Sequence, residues 1–188
     1  MLILASASPR RRELLTLSGF HFEVHAADVV EELISGEHPI TAAIRLATIK
    51  AQAVQALSPD AVVLGADTVV VSPQGIILGK PRDAAHAAEM LRMLSGATHQ
   101  VITGVCIAWA GRLEAAAEVT SVTMRAPSDT EIEAYIATGE PMDKAGAYAI
   151  QGRAARWIPR IHGDYSNVVG LPLALVTAML EAAAVYPR

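Results

Sequence analysis

The chain has 188 residues, 52% of them apolar and 18% charged, with 15 Lys and Arg against 19 Asp and Glu. That length fits one domain, or two small lobes around one cleft, and the composition excludes a disordered chain. A net charge of −4 and a pI near 5.8 exclude a global basic field for wrapping nucleic acid, so any anion site must be local. Cys106 is the single cysteine, which rules out an intrachain disulfide and a cysteine-cluster metal site.

In chain order, Leu2-Ile3-Leu4-Ala5 reads as a short buried strand, with no basic segment before it to make a signal peptide. Ser8-Pro9 starts a helix that carries Leu14, Leu15 and Leu17 and stops at Gly19. Phe20 to Ala26 alternates as a strand, and an acidic loop then leads to a helix from Thr41 to about Leu57. Ala61 to Ser72 is β-rich, and Pro73-Gln74-Gly75 turns the chain into Ile76-Ile77-Leu78. Asp83 caps a helix closed by Gly96. Two long strands follow, His99 to Trp109 and Leu113 to Arg125. Ser128 with Glu131 makes a capping box for a helix ending at Gly139. A glycine-containing stretch gives way to a strand around Trp157-Ile158, and Leu173 to Val185 forms the last helix. The uncharged run from Met93 to Gly111 is polar in its first half, so it is no membrane helix. The class is α/β, a mixed sheet flanked by helices in one compact unit, and a soluble cytoplasmic protein is expected.

Two placements are electrostatically odd. Arg10, Arg11 and Arg12 crowd the first turn of a helix, where the backbone already presents about half a positive charge. An anion held jointly by the free amides, the Ser6 and Ser8 hydroxyls and guanidinium groups would explain them; a solvated basic turn is the plain alternative. At ~100° per residue the three arginines fan out, so one or two at most can face a ligand. Asp67 interrupts the apolar run Val62 to Val71. A carboxylate there is costly to bury unless paired or bound to metal, and at a strand end it could serve as a general base or Mg²⁺ ligand. A turn-forming Asp is the other reading. Glu31, Lys50, Lys80 and Gln151 are each unremarkable alone. Cys106 reads as inert core, His21 and His25 lack a third metal ligand, and Trp109 and Trp157 read as packing residues.

Four blocks tie these residues together: Leu4-Ala5-Ser6-Ala7-Ser8-Pro9-Arg10-Arg11, Gly65-Ala66-Asp67-Thr68, Gly79-Lys80-Pro81, and Asp143 through Gly152. With Arg45-Leu46-Ala47 leading to Lys50-Ala51, and Asn167 through Leu173, they resemble the Maf family of nucleoside triphosphate pyrophosphatases from Leu2 to about Leu180. The resemblance implies a single domain over residues 1–188, with two lobes around a nucleotide cleft and a mixed twisted sheet of the Maf/ITPase type. It implies Ser6 and Arg11 as triphosphate ligands, Lys50 and Lys80 as further phosphate contacts, and Asp67 as the catalytic carboxylate. Glu31 would join Asp67 in holding a divalent cation, Mg²⁺ or Mn²⁺. Whether Asp67 acts as base or metal ligand stays open.

Within that family three positions sort the substrates. The dTTP/UTP enzymes carry Arg, Thr and Gln, matched here by Arg10, Thr68 and Gln151, whereas the 7-methyl-GTP type carries Trp, Gln and Glu. The expected activity is hydrolysis of dTTP and UTP, extending to modified pyrimidine nucleotides, to the monophosphate and diphosphate. Two alternatives remain: a 7-methyl-GTP enzyme, or a non-catalytic nucleotide-binding protein linked to septum formation. The expected partners are the nucleotide and a second copy of the chain in a homodimer, with no nucleic acid and no membrane.

Overall fold

The computed structural model describes residues 1–188. The strands are β1 (Leu2–Leu4), β2 (Glu23–Val24), β3 (Val62–Val71), β4 (Ile77–Leu78), β5 (Thr98–Trp109), β6 (Arg112–Thr123) and β7 (Arg160–His162). The helices are α1 (Pro9–Leu17), α2 (Pro39–Leu57), α3 (Ala84–Leu94), α4 (Asp129–Ile136), α5 (Tyr165–Val169) and α6 (Leu173–Ala182). Three 3₁₀ turns cover Glu140–Asp143, Ala145–Ala147 and Arg153–Trp157. The sheet is mixed and seven-stranded, in the order β2-β1-β3-β5-β6-β7, with β4 paired to β3. The chain divides into two compact units. The first comprises Met1–Thr68, Thr103–Glu118 and Gly170–Arg188; the second comprises Val69–Ile102 and Val119–Val169.

In the first unit, β1 runs parallel to both β2 and β3, with Ile3 opposite Glu23 and Val63. Helix α2 lies close to this sheet because the strands present glycine to it. A Cβ at Gly65 of β3 would run into the Ala47 carbonyl, and one at Gly104 of β5 into the Ala43 carbonyl. Ala43, Ala47 and Ala51 are all fully buried on the helix side. Small residues on both surfaces thus let α2 sit against the strands, and an added methyl group there would cost about 1–3 kcal/mol in repacking. Ile3, Ala5, Val54, Val63, Cys106 and Ala108 complete this core, so Cys106 is the buried packing residue expected of it.

The second unit has its own core, in which Met90, Leu91 and Leu94 of α3 meet Val101, Val122, Ile132, Tyr135 and Trp157. Asp83 caps α3 by accepting from the His86 amide at 2.8 Å, and Ser128 and Glu131 form the capping box of α4. Such a cap contributes about 1 kcal/mol by satisfying amides that the helix cannot bond itself. β7 pairs antiparallel with the end of β6, placing Val122 opposite Ile161.

Four expected elements differ. The strand drawn over Phe20 to Ala26 contracts to the two exposed residues Glu23 and Val24, because the three-residue β1 offers only Ile3 and Leu4 as partners. Helix α2 starts at Pro39 rather than Thr41: proline suits the first helical position, and His38 caps it by accepting from the Ile40 amide. Trp157 ends a 3₁₀ turn instead of lying in a strand, packed edge-to-face on Tyr135 at 5.1 Å, and the strand begins after Pro159. Helix α6 stops at Ala182, after which Ala184 takes a positive φ of 58° and the chain returns until the Arg188 amide bonds the Gly19 carbonyl. No helix is long and apolar enough to cross a membrane.

Candidate active site

The arginines of α1 diverge as their spacing requires. Arg12 is exposed and Arg10 half-buried, while Arg11 folds back over the end of β1. Its Nε donates to the Gly170 carbonyl at 2.8 Å, one terminal nitrogen to Ser6 Oγ at 3.2 Å and the other to Thr68 Oγ1 at 3.1 Å. A guanidinium has five N–H donors, so three fix its plane and one on each terminal nitrogen remains for an acceptor. That pair is the edge that binds a phosphate in bidentate fashion. Burial lowers the Arg11 pKa, against the opposing pull of Asp67 and Glu31, without threatening its charge. Thr68 is anchored in turn by a 2.8 Å bond to Thr103 on β5.

Lys50 and Asp67 come together through the close approach of α2 and β3. Lys50 is 6% and Asp67 7% exposed, and Lys50 Nζ lies 2.6 Å from Asp67 Oδ1 and 2.7 Å from Glu31 Oε2. One ammonium therefore joins two carboxylates from separate segments. Burial nevertheless pushes the Asp67 pKa above the ordinary carboxylate value, outweighing the attraction of Lys50 and Arg11. A carboxyl so placed holds a proton more readily than an exposed one, which suits a group that must accept a proton and return it.

Glu31 is carried by a segment without regular structure, His25 to His38. Arg45, a turn and a half before Lys50 on α2, bonds both oxygens of Glu37 at 2.8 and 2.7 Å and the Glu32 carbonyl at 2.9 Å. The sequence reading had Arg45 only as part of a motif and did not single out Thr103 or the Gly170 carbonyl. Thr103 carried the same signal as Asp67, a polar side chain inside an apolar strand.

Lys80 and Gln151 belong to the second unit, and both are exposed. The Gly79 carbonyl beside Lys80 accepts from the Gly146 amide at 3.1 Å, so two of the sequence blocks meet here. Gln151 occupies a turn whose exit is held by Glu140, which accepts from the Arg153 amide and from the Tyr135 hydroxyl. Ser6, Arg11 and Thr68 thus form one hydrogen-bonded group, and Glu31, Lys50 and Asp67 another.

No three His, Cys, Asp or Glu side chains gather in a way that would hold a metal ion by themselves. Asp67 and Glu31, converging on the same ammonium, offer two hard oxygen donors. That set fits Mg²⁺ or Mn²⁺, which bind through one or two carboxylates once phosphate oxygens supply the remaining positions.

The Maf-like protein family matches residues 1–183. A protein of Koribacter versatilis (strain Ellin345) named dTTP/UTP pyrophosphatase is 54% identical over 184 residues, 98% of this chain and 95% of that one. Proteins of the same name from Bacillus pumilus (strain SAFR-032) and Salmonella typhimurium are 48% and 54% identical, covering 99% and 96% of this chain and 98% and 91% of theirs. Among solved structures, the Staphylococcus aureus Ham1 protein shares the fold at a TM-score of 0.52 and 11% identity, over 97% of this chain and 98% of that one. With a family match over nearly its whole length and relatives at about half identity, this chain belongs to the Maf family.

Proposed function

We propose that the protein is a nucleoside triphosphate pyrophosphatase that hydrolyses dTTP and UTP between the α- and β-phosphates, releasing monophosphate and diphosphate. The observation that carries the reading is the buried Asp67–Lys50 pair joined by the more exposed Glu31, near enough to Arg11 for its charge to be felt there, in a chain aligned over nearly its whole length with dTTP/UTP pyrophosphatases. Such a reaction needs an oriented water, charge neutralisation on the phosphates and a stabilised leaving group.

In this reading the two uncommitted N–H groups of Arg11 grip phosphate oxygens, while Ser6 and Thr68 keep the guanidinium plane fixed. Lys50 adds a second positive charge, and Lys80 is assigned a phosphate contact on the family pattern. Asp67 bonds Lys50 through Oδ1, so Oδ2 is the oxygen that takes the proton of the attacking water. Asp67 and Glu31 would hold a divalent cation, Mg²⁺ or Mn²⁺, which supplies Lewis-acid polarisation of the phosphate oxygens. Arg10, Thr68 and Gln151 support pyrimidine nucleotides over 7-methyl-GTP. The family pattern extends the proposal to a cytoplasmic homodimer, and light scattering that returned the chain mass of 19.8 kDa would remove that part.

The test is a product assay with dTTP, UTP, CTP, GTP and 7-methyl-GTP, in Mg²⁺ and separately in Mn²⁺. Monophosphate and diphosphate from dTTP and UTP are expected, with turnover lost in Asp67→Asn. Tight nucleotide binding without products would refute catalysis. Preferential turnover of 7-methyl-GTP would refute the specificity assignment alone.

A further inference from the structure

Helix α2 faces the acidic segment with two cations, and only Lys50 belongs to the charge cluster of the site. Arg45 touches none of Asp67, Ser6, Arg11 or Thr68 in its hydrogen bonds; the three bonds of its Nε and one terminal nitrogen all go to the segment that carries Glu31. Its Nε and one terminal nitrogen grip the two oxygens of Glu37, and the same terminal nitrogen reaches back to the Glu32 carbonyl. The Glu37 side chain is only 10% exposed, so this bidentate pair is largely shielded from water, unlike the exposed pair of Arg92 and Asp129.

The segment needs such a hold. From His25 to His38 it has neither helix nor strand; Ala27 packs on the core of the first unit, but beyond it Val30, Leu33 and Ile34 stay 75%, 40% and 56% exposed, so little apolar packing holds the chain around Glu31. Arg45 ties it at residues 32 and 37, on the C-terminal side of Glu31. One tie is next door to Glu31 in sequence, which limits how far its backbone can drift from Lys50. Lysine could not reproduce this: its single ammonium lacks the planar fork that matches a carboxylate in two places.

We propose that Arg45 is the positioning residue for Glu31: by clamping residues 32 and 37 to α2 it presents the Glu31 carboxylate beside Lys50 and Asp67. The inference rests on the pyrophosphatase reading only for its kinetic consequence, not for the clamp itself. Partners that orient a functional carboxylate in this way commonly matter about 10- to 100-fold when removed.

Two measurements on the full chain decide it. In hydrogen exchange without nucleotide or metal, Arg45→Lys is expected to raise exchange of the Glu37 amide, which bonds the Ile34 carbonyl at 3.1 Å, by about tenfold or more while the cores of both units keep their protection. Glu37→Gln, which breaks the clamp from the other side, should raise exchange at the position 37 amide likewise. Unchanged exchange in both variants would overturn the proposal. In kinetics, Arg45→Lys should lower kcat/KM for dTTP by about tenfold in the wild type and by nothing further in a Glu31→Gln background. Losses that simply add across that cycle would mean Arg45 acts elsewhere and would overturn it. If the wild type turned over no nucleotide, the pyrophosphatase reading would fail while the exchange experiment still judged the clamp.

Discussion

The two units treat their buried polar side chains in opposite ways. In the first, Lys50 and Asp67 are buried as ions, and each is bonded to the other. In the second, His99 and Tyr148 are buried as neutral groups, joined by a 2.7 Å hydrogen bond with their rings edge-to-face at 5.4 Å. Burying two ions costs several kcal/mol each before their attraction returns some of it, and an apolar pair of the same volume is often as stable. A neutral hydrogen-bonded pair avoids the cost of desolvating ions, and here only one polar ring atom, His99 Nδ1, is left without a partner. On the proposed function the contrast has a reason: the ions of the first unit serve the reaction, whereas the neutral pair of the second serves the fold.

The sharpest break of that contrast is Asp67→Asn. The amide keeps the shape of the side chain and removes its charge. We expect kcat to fall by about a thousandfold or more, since the group proposed both to accept the proton and to hold the metal goes. The melting temperature should hold within a few degrees, because the amide keeps the side chain's shape and Glu31 still pairs the Lys50 ammonium that would otherwise be left buried and alone. A variant that loses several degrees along with activity would show that the carboxylate supports the fold, and the contrast would collapse.

The neutral pair makes the converse prediction. Burial holds the His99 pKa down at about 4, against 6.5 ordinarily, and its Nδ1 has no hydrogen-bond partner. Between those two values the unfolded chain binds a proton that the folded chain refuses, so stability rises with pH across that window. The linked loss begins as pH falls through 6.5 and is complete near 4, amounting to on the order of 3 kcal/mol. His99→Gln retains a hydrogen-bonding group for Tyr148 and does not titrate. Denaturant unfolding at pH 7 and pH 4.5 should therefore show the gap between wild type and variant shifting in the variant's favour at the lower pH. A gap that stays constant would remove His99 from the account. Turnover at pH 7 should be the same in both.

How much of this was legible in the sequence follows from how local each signal is. Ser8, Asp83 and the Ser128–Glu131 box announced their helices because a cap is written within four residues. Asp67 stood out because an ion inside an apolar strand is anomalous wherever it occurs. The strand expected at Trp157 failed because pattern alone cannot tell a buried aromatic in a 3₁₀ turn from one in a strand. The contraction of β2 was equally hidden, since its length is set by β1, a segment distant in sequence. The Arg11 contact with the Gly170 carbonyl spans 159 residues, and no spacing rule reaches that far. Arg45 was in plain view as a motif, but its task depends on where Glu37 lies once the segment has folded back.

The smallest expected effect concerns Gln151, and it sharpens the comparison by testing a residue that neither core constrains. Its side chain is exposed, so Gln151→Glu should alter stability by less than about 0.5 kcal/mol. Glutamine offers one acceptor and two donors, which answer the N–H and carbonyl edge of thymine or uracil; ionised glutamate can only accept. Losing a donor to the base carbonyl and setting a negative oxygen against it should lower kcat/KM for dTTP and UTP by roughly tenfold, the worth of one hydrogen bond. The loss should appear for both nucleotides, because they share that edge, and should leave the pH profile of turnover in place. If selectivity across the nucleotide panel is unchanged, the base is read elsewhere, and the specificity of this chain must be sought among residues other than Gln151.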